Sequence, residues 1–523
     1  MDPPLTPTPN SPRHAAVGTT LHEAKLAWAK EHGGSALPSN VEFLKSLPAS
    51  ERERYAGQVY RKPSRTLSGL AVVAVMTAPA PCPHGQCSYC PGGVTLGSPQ
   101  SYTGEEPSAL RGAEFHWDSE SITRHRLASL ESIGHPTSKV EAIVMGGTFP
   151  ARPAPYVESV FRGIYNGLNG IRSKTLAEAQ RLNETASRRL VGLTVETRPD
   201  WCDERILPRL IDAGVTRVEI GVECLRPEIL ERTGRAHGID DVALATKAAR
   251  ARGLKVTYHL MLGLPGATPS TDLEDFLRLT REPAFVPDML KIYPTLVVPM
   301  TRLYDEWQRG DYTPYDTDTA VDLLAEMKRR IPPWIRIQRI QRDIPSRNIA
   351  AGVRASNLRE LVRHRLAREG RYCRCLRCRE AGRRASPPLS EFVLVRQGYR
   401  SAGGIELFLS WEAPHEDVIA GFLRLRIPDP VEESPVPAPV IRELKVLGSE
   451  VPIGRAADGP TDYQHHGLGR RLIEAAEEEC RSRGFDRIYV LSAVGTRRYY
   501  GALGFERADP LMVKSLFAGR NPR

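Results

Sequence analysis

Between residues 70 and 300, short β-branched and apolar runs recur at intervals too long for hairpins. They are "AVVAVM" (71–76), "EAIVMGG" (141–147), "GLTVETRP" (192–199), "RVEIGVE" (217–223), "KVTYHLMLGLP" (255–265) and "MLKIYPTLV" (289–297). Helix-like stretches such as "DERILPRLIDAG" and "DDVALATKAARARG" separate the later runs, each ending at a glycine, as helix C-termini do. Strands alternating with helices predict parallel β–α units in an open sheet or partial barrel. Polar residues break the apolar pattern near the C-terminal ends of the runs: Glu196, Arg198, Glu219, Glu223, His259, Lys291 and Tyr293. In barrel-type α/β folds that rim binds ligands. The competing reading has these side chains facing the barrel interior and satisfying one another.

From about residue 390 the pattern turns to alternating strands, "EFVLVRQ", "IELFLSWE" and "FLRLRI", followed by the Pro-rich "PDPVEESPVPAPV". Then come "IRELKVLG" (441–448), an amphipathic helix within "DYQHHGLGRRLIEAAEEECRSRGF" (462–485), "RIYVLSAVG" (487–495) and "TRRYYGALGFERA". This is a second α/β domain. The chain has 523 residues, 41% hydrophobic and 26% charged, enough for two large cores plus smaller pieces. Its longest apolar run, about seven residues, is far short of the roughly 20 that span a bilayer. Residues 1–20 have no apolar signal region and are expected to be a disordered tail, and the protein to be cytoplasmic. Expected after them are a helical, basic RNA-touching segment (21–66), the barrel (67–330), a basic linker (331–388) and the second domain (389–523).

Lys and Arg outnumber Asp and Glu by 72 to 62, a net charge of +10, which suits an anionic partner. A dozen arginines lie between Arg336 and Arg377, interleaved with Trp334 and Tyr372, which could stack on bases. With "RKPSR" (61–65), this linker reads as a phosphate-contacting surface; the bland reading is a solvated, salt-bridged face.

Six of the nine cysteines fall in two tight clusters, and with no export signal that points to metal ligation rather than disulfides. Cys82, Cys87 and Cys90 follow the first strand. Three thiolates suit a 4Fe–4S cluster with one iron left open, whereas His84 as a fourth ligand would make a zinc site. Cys373, Cys375 and Cys378 suit a structural zinc, with His364 the nearest candidate fourth ligand; a second iron–sulfur cluster and then a redox dithiol are the lower-ranked readings. In the second domain, Gln464-His465-His466-Gly467-Leu468-Gly469 opens the amphipathic helix. Its glycines expose backbone N–H groups at a helix N-terminus, where a pyrophosphate binds.

That signature, with the strand before it and "YY…ALGF" after it, resembles the GNAT acetyltransferases and implies coenzyme A as its ligand. The cysteine loop resembles that of radical-SAM enzymes, although four residues rather than three separate its first two cysteines. This resemblance implies that the open iron chelates S-adenosylmethionine and cleaves it to a 5′-deoxyadenosyl radical. It also places Gly146 and Gly147, with Glu196, at S-adenosylmethionine. The pair of domains resembles the catalytic subunit of Elongator and its stand-alone bacterial and archaeal relatives, a tRNA uridine carboxymethyltransferase family. The resemblance covers nearly all of residues 55–515, through stretches such as "SGLAVVAVM", "YCPGG", "QSYTGEEPSALR", "VEAIVMGGTFPA", "VETRPDWC", "QRDIPS", "NLRELV" and "IRELKVLGSEVP".

The resemblance implies a radical-SAM partial (β/α)6 barrel, a zinc-type linker and a GNAT domain. The implied reaction draws a hydrogen from the methyl group of acetyl-CoA and adds the carbon radical to carbon 5 of the wobble uridine. Release of coenzyme A leaves 5-carboxymethyluridine in the anticodon stem-loop. Carried across residue by residue, Cys82, Cys87 and Cys90 hold the cluster and Lys291 stands at the active-site rim. Lys139, Glu443, Leu444, Lys445, Val446, Tyr463, Gln464, His465, Gly467, Gly469 and Tyr499 contact acetyl-CoA. Some eukaryotic members have a longer insertion between the first two cysteines. Its absence resembles the prokaryotic branch and implies no obligatory protein subunits; homodimerisation is left open. The rival from other chemistry is a protein lysine acetyltransferase with a structural iron–sulfur domain and Glu443 as general base. A non-catalytic RNA-binding scaffold is the second rival.

Overall fold

The computed structural model describes residues 21–31, 43, 46–47, 51, 66–430, 434–450 and 461–517. The expected tail at 1–20 and the basic "RKPSR" lie outside them. A small N-terminal unit holds the helix Leu21–Glu31, in which Leu21 and Trp28 pack with Phe43 and Leu47. The rest of the fold is two seven-stranded sheets.

The first sheet is all parallel, in sequence order: β1 (Leu70–Met76), β2 (Lys139–Met145), β3 (Arg189–Thr197), β4 (Arg217–Glu223), β5 (Lys255–Leu262), β6 (Met289–Pro294) and β7 (Arg336–Arg339). The six predicted runs are all strands. The seventh, "RIQR", extends the barrel past the expected boundary at residue 330 into the basic linker. Helices Ala154–Asn169, Ile239–Ala251, Pro269–Arg281 and Thr317–Arg330 lie between successive strands. One strand face is apolar, with Val140, Ala142 and Val144 fully buried. The other carries ions. Register sets Glu196 beside Glu219 and His259 beside Lys291.

The second sheet is mixed, ordered β13-β14-β12-β11-β10-β9-β8. Its strands are β8 (Val393–Arg400), β9 (Gly404–Ala413), β10 (Val418–Pro428), β11 (Val440–Val446), β12 (Arg487–Val490), β13 (Glu506–Ala508) and β14 (Leu511–Ser515). The helix Leu468–Ser482 buries Leu472, Ile473, Ala476 and Cys480 against this sheet's core. β11 and β12 run parallel but pair only at Val440–Tyr489 and Ile441–Val490, so the strands splay beyond Ile441.

The two sheets meet at the N-terminal end of the barrel. Val440 and Leu491 pack over Gly253 ahead of β5, and Gly495 lies against Arg189 and Leu190 at the start of β3. Between them is a buried ion network. Arg442 reaches Asp288 at 2.7 Å and Glu406 at 2.7 Å, Arg250 joins both carboxylates, and Arg424 donates to the Trp334 carbonyl. All of these ionic side chains are nearly or fully buried. A buried charge stripped of its partner costs several kcal/mol, so the network resists separation of the two sheets.

Candidate active site

The cysteine loop leaves β1 at the opposite, C-terminal end of the barrel. Cys87 and Cys90 are buried and Cys82 is half-buried. Gln100 fixes the Cys82 end by accepting its backbone N–H at 2.6 Å. His84 Nε2 lies 3.3 Å from Cys87 Sγ, and Arg235 Nη1 3.9 Å from the same sulfur. Burial, with Arg198 and Arg235 beside it, lowers the His84 pKa to about 4, so the ring stays neutral. Burial, with Cys87 next to it, pushes the Cys90 thiol up to about 12, so a Cys90 thiolate needs a compensating cation.

The two groups of cysteines differ in spacing. Among the described residues, the sulfurs of Cys373, Cys375 and Cys378 all lie within 4.8 Å of one another, whereas the loop cysteines form no such group. Zn–S bonds of about 2.3 Å in a tetrahedron hold thiolates about 3.8 Å apart. The wider loop set fits an iron–sulfur cluster, whose ligands spread over several irons.

Gly146 (φ 121°) and Gly147 (φ 68°) follow β2 in conformations that favour glycine. A Cβ on Gly147 would stand 3.5 Å from Cys82 Sγ, so this backbone lies directly beside the first cysteine. The same cavity is lined by Glu196, Glu219, His259, Lys291 and Tyr293, which sequence had placed on the rim. Two carboxylates side by side on β3 and β4 repel, and Lys291 inserts its ammonium between them. It bonds Glu219 and lies 3.4 Å from Glu196, while His259 Nε2 is 3.3 Å from Glu219. Burial would raise the Glu219 pKa; Lys291 and His259 hold it well below the usual carboxylate range. Glu196, Glu219 and His259 have the spacing of a metal triad, but the Lys291 ammonium already supplies the positive charge.

Three residues at this site had no sequence signal for a role. Tyr102 donates to Glu196 at 3.2 Å, Ser101 lies on Cys90, and buried Arg235 binds the Gly221 carbonyl. Ser101 and Tyr102 belong to "QSYTGEEPSALR", a stretch that marked the resemblance without naming a task.

The predicted acetyl-CoA residues gather at the splayed end of β11 and the helix start beside it. Gly467 caps that helix at φ 76°, and a Cβ on Gly469 would come 2.6 Å from the Tyr499 hydroxyl. Gln464 donates to the Ser68 carbonyl just before β1. Lys139 opens β2, where burial lowers its pKa against the pull of Glu450. Lys445 reaches across to Glu141 of β2 at 3.6 Å. From there Glu141–Arg217, Arg217–Glu219 and Glu219–Lys291–Glu196 carry ion pairs up the barrel face to the cluster end.

Some predicted residues are placed otherwise. Tyr463 is buried with its hydroxyl on the Pro387 carbonyl, leaving only its backbone for a ligand. Glu443 accepts from Arg424 at 2.9 Å; burial acts to raise its pKa, but Arg424, Lys445 and Lys255 hold it low, so it is no free general base. His364 is exposed on the helix Leu358–Arg368 and is not in the Cys373–Cys375–Cys378 group. Buried Lys328 instead stands 3.9 Å from Cys378 Sγ. Trp334 stacks on Tyr399 at 4.7 Å and 8° and packs, partly buried, against the cluster of Leu376, Phe408 and Phe422, so it serves the core. Tyr372, 49% exposed, keeps a face for stacking, with Arg384 over its ring.

Sequence profiles agree with this division. The Radical SAM superfamily matches residues 81–280, the Radical_SAM C-terminal domain 287–368 and the acetyltransferase (GNAT) family 385–505. A tRNA uridine(34) acetyltransferase of Methanocaldococcus jannaschii is 43% identical over 92% of this chain and 91% of its own. That of Dehalococcoides mccartyi is 44% identical over 87% of this chain and its whole length. Elongator complex protein 3 of Homo sapiens is 40% identical over 95% and 93%. The solved structure of archaeal Methanocaldococcus infernus Elp3 with an N-terminal deletion (1–46) superposes with a TM-score of 0.76. It is 39% identical and covers 86% of this chain and 100% of that one. With identity of 40% or more over more than nine-tenths of its length, this chain belongs to the family of the tRNA uridine(34) acetyltransferases and Elongator complex protein 3.

Proposed function

We propose that this chain is a tRNA-modifying enzyme that builds a carboxymethyl group on carbon 5 of the wobble uridine from the acetyl group of acetyl-CoA. The observation that carries it is the union of the two sites in one fold. β11, the strand of the acetyl-CoA resemblance, closes the N-terminal end of a barrel whose C-terminal end holds the three-cysteine loop.

Each end fits its group. Cys82, Cys87 and Cys90 would hold a 4Fe–4S cluster, with Gly147 and Glu196 beside it for S-adenosylmethionine. Gly467, Gly469 and the open end of β11 would hold acetyl-CoA, with Lys139 and Lys445 bringing positive charge from either side of the domain contact. When bound, the cluster and S-adenosylmethionine supply one-electron chemistry able to open an unactivated methyl C–H bond. Ordinary acetyl transfer would join the base to the carbonyl carbon, whereas a carboxymethyl group is joined through the methyl carbon, so acyl transfer alone does not make this product. The chain's own groups prepare the place. Lys291 keeps Glu219 ionised and pairs with Glu196, Tyr102 orients Glu196, and Glu106 fixes the loop beside them by accepting the N–H groups of Thr103 and Gly104.

The tRNA surface is the helix Leu358–Arg368 and the turn after it. Arg363, Arg368 and Arg371 are exposed there with His364, so His364 belongs to this face, and Arg365 beside them pairs with Asp322 and Glu369. Other linker arginines are engaged within the protein: Arg347 with Glu105, Arg374 with Asp417, and Arg359 with the carbonyls of Ile337 and Gln338. Anticodon-loop bases unstack at little cost, which suits a buried reaction site. Cys373, Cys375 and Cys378 would take a zinc ion. Burial acts to lower the Lys328 pKa, but the three sulfurs raise it, and its ammonium offsets the third thiolate.

The lysine acetyltransferase reading is disfavoured, because Glu443 is committed to Arg424. Anaerobic incubation of the reduced, cluster-loaded protein with unmodified tRNA, acetyl-CoA and S-adenosylmethionine, read by nucleoside mass spectrometry, tests the proposal. Carboxymethyluridine is expected only with both small molecules present. Uridine unchanged by a cluster-replete protein would sink the proposal.

A further inference from the structure

The stretch "QSYTGEEPSALR" contains a residue whose backbone is strained toward a cluster ligand. Ser101 sits at φ 74°, a left-handed conformation that a serine adopts at a cost of about 1–2 kcal/mol. In that pose its N–H points at Cys90 Sγ from 3.1 Å and its Oγ lies 3.3 Å from the same sulfur. A ligating cysteine is a thiolate, so both groups then donate to it. The Ser101 N–H also donates to the Pro91 carbonyl at 3.0 Å.

What holds the strain is visible. Arg342, in the distant "QRDIPS" stretch past β7, donates to the Ser101 carbonyl. On the other side, a Cβ on Gly92 would come 2.1 Å from the Tyr102 carbonyl, so the loop after Cys90 and the loop through Ser101 lie backbone on backbone. Strain fixed from two sides at a functional group is what positioning looks like. Ser101 and its neighbours also divide their work: Gln100 holds the Cys82 backbone and Tyr102 holds Glu196, while Ser101 alone meets a sulfur with two donors.

We propose that Ser101 is a positioning residue that sets the reduction potential of the cluster through Cys90. Hydrogen bonds to a thiolate ligand stabilise the more negative, reduced cluster, and the nearby Arg342 cation adds to the effect. Both raise the potential, so that one electron enters the cluster more readily. This rests on the reading of Cys82, Cys87 and Cys90 as 4Fe–4S ligands.

The test is an EPR-monitored reductive titration of the reconstituted full-length protein without S-adenosylmethionine, alongside iron analysis. Ser101→Ala removes the O–H donor and keeps the N–H. Ser101→Gly also frees the backbone, and Arg342→Gln removes the clamp. All three are expected to keep wild-type iron content. Their reduction equilibrium constants are expected to fall three- to tenfold, tenfold being about 59 mV for a one-electron couple. Unchanged potentials with iron retained would overturn the proposal and leave Ser101 a loop-packing residue. Iron lost from both Ser101 variants would also overturn it, assigning the residue to cluster retention. A wild-type protein that takes up no cluster would instead overturn the ligand reading beneath it.

Discussion

Glu141 shows how one carboxylate serves both halves of the molecule. It stands inside β2, 3.6 Å from Lys445 of the acetyltransferase sheet and 3.6 Å from Arg217 of β4. Burial acts to raise its pKa, yet Lys445, Arg217 and Lys255 bring it down to about 2. A carboxylate depressed on folding stabilises the fold above its unfolded value, near 4.3, and loses that contribution as pH falls through the folded value. The shift corresponds to about 3 kcal/mol at neutral pH. Glu141→Gln is therefore expected to unfold at lower urea than wild type at pH 7, with the gap closing between about pH 4.3 and pH 2. A gap that persists in acid would mean that the carboxylate's charge is not what matters.

At the scale of elements, the helix Leu468–Ser482 makes its ligand site by what it lacks. Gly469 has no side chain, and the Tyr499 hydroxyl fills the space where a Cβ would lie. Gly469→Ala is expected to displace Tyr499 and weaken acetyl-CoA binding at least tenfold by calorimetry. The helix should persist in circular dichroism, because alanine is a good helix former. Unchanged affinity would place the cofactor elsewhere.

Elements of this kind were legible in the sequence because they are local. Apolar periodicity marked six of the seven barrel strands, and G-x-G marked the start of the helix Leu468–Ser482, the proposed coenzyme site. β7 was not legible: its four residues are "RIQR", and their polarity reads as linker until the ion-bearing barrel face is known to be their setting. His364 and Trp334 were assigned by proximity in the chain and by residue type. The first proves to face solvent, and the second is taken by Tyr399, a partner 65 residues away in sequence. Ser101, Tyr102 and Arg235 act through contacts that only folding creates. Nothing in their spacing announced them.

The whole molecule is organised by charge in two layers. Inside, the Asp288–Glu406–Arg250–Arg442 network locks the acetyltransferase sheet to the barrel. Arg442→Ala takes from Asp288 and Glu406 one of the two arginines that bridge them and leaves Arg250 between both charges, at a cost of up to about 3–5 kcal/mol. Calorimetric melting is expected to fall and to split into two transitions; a single wild-type transition would deny the network that role. Outside, the exposed arginines of the helix Leu358–Arg368 and the turn after it form the proposed tRNA surface. Changing Arg363, Arg368 and Arg371 together to Gln is expected to weaken tRNA binding and lower the log–log salt slope by roughly 2–3, at about 0.7–0.9 per phosphate contact. Anisotropy titrations at several salt concentrations would read this, and an unchanged slope would move the tRNA to another face.

The reach between the two ends of the barrel is the central claim, and isotope tracing tests it most directly. Reduced, cluster-loaded protein would be given S-adenosylmethionine, unmodified tRNA and acetyl-CoA deuterated in its methyl group. The account predicts deuterium in 5′-deoxyadenosine together with a carboxymethyl mass on the wobble uridine. Unlabelled 5′-deoxyadenosine beside modified uridine would show that the hydrogen is taken from elsewhere. It would contradict the joining of the two sites in one reaction.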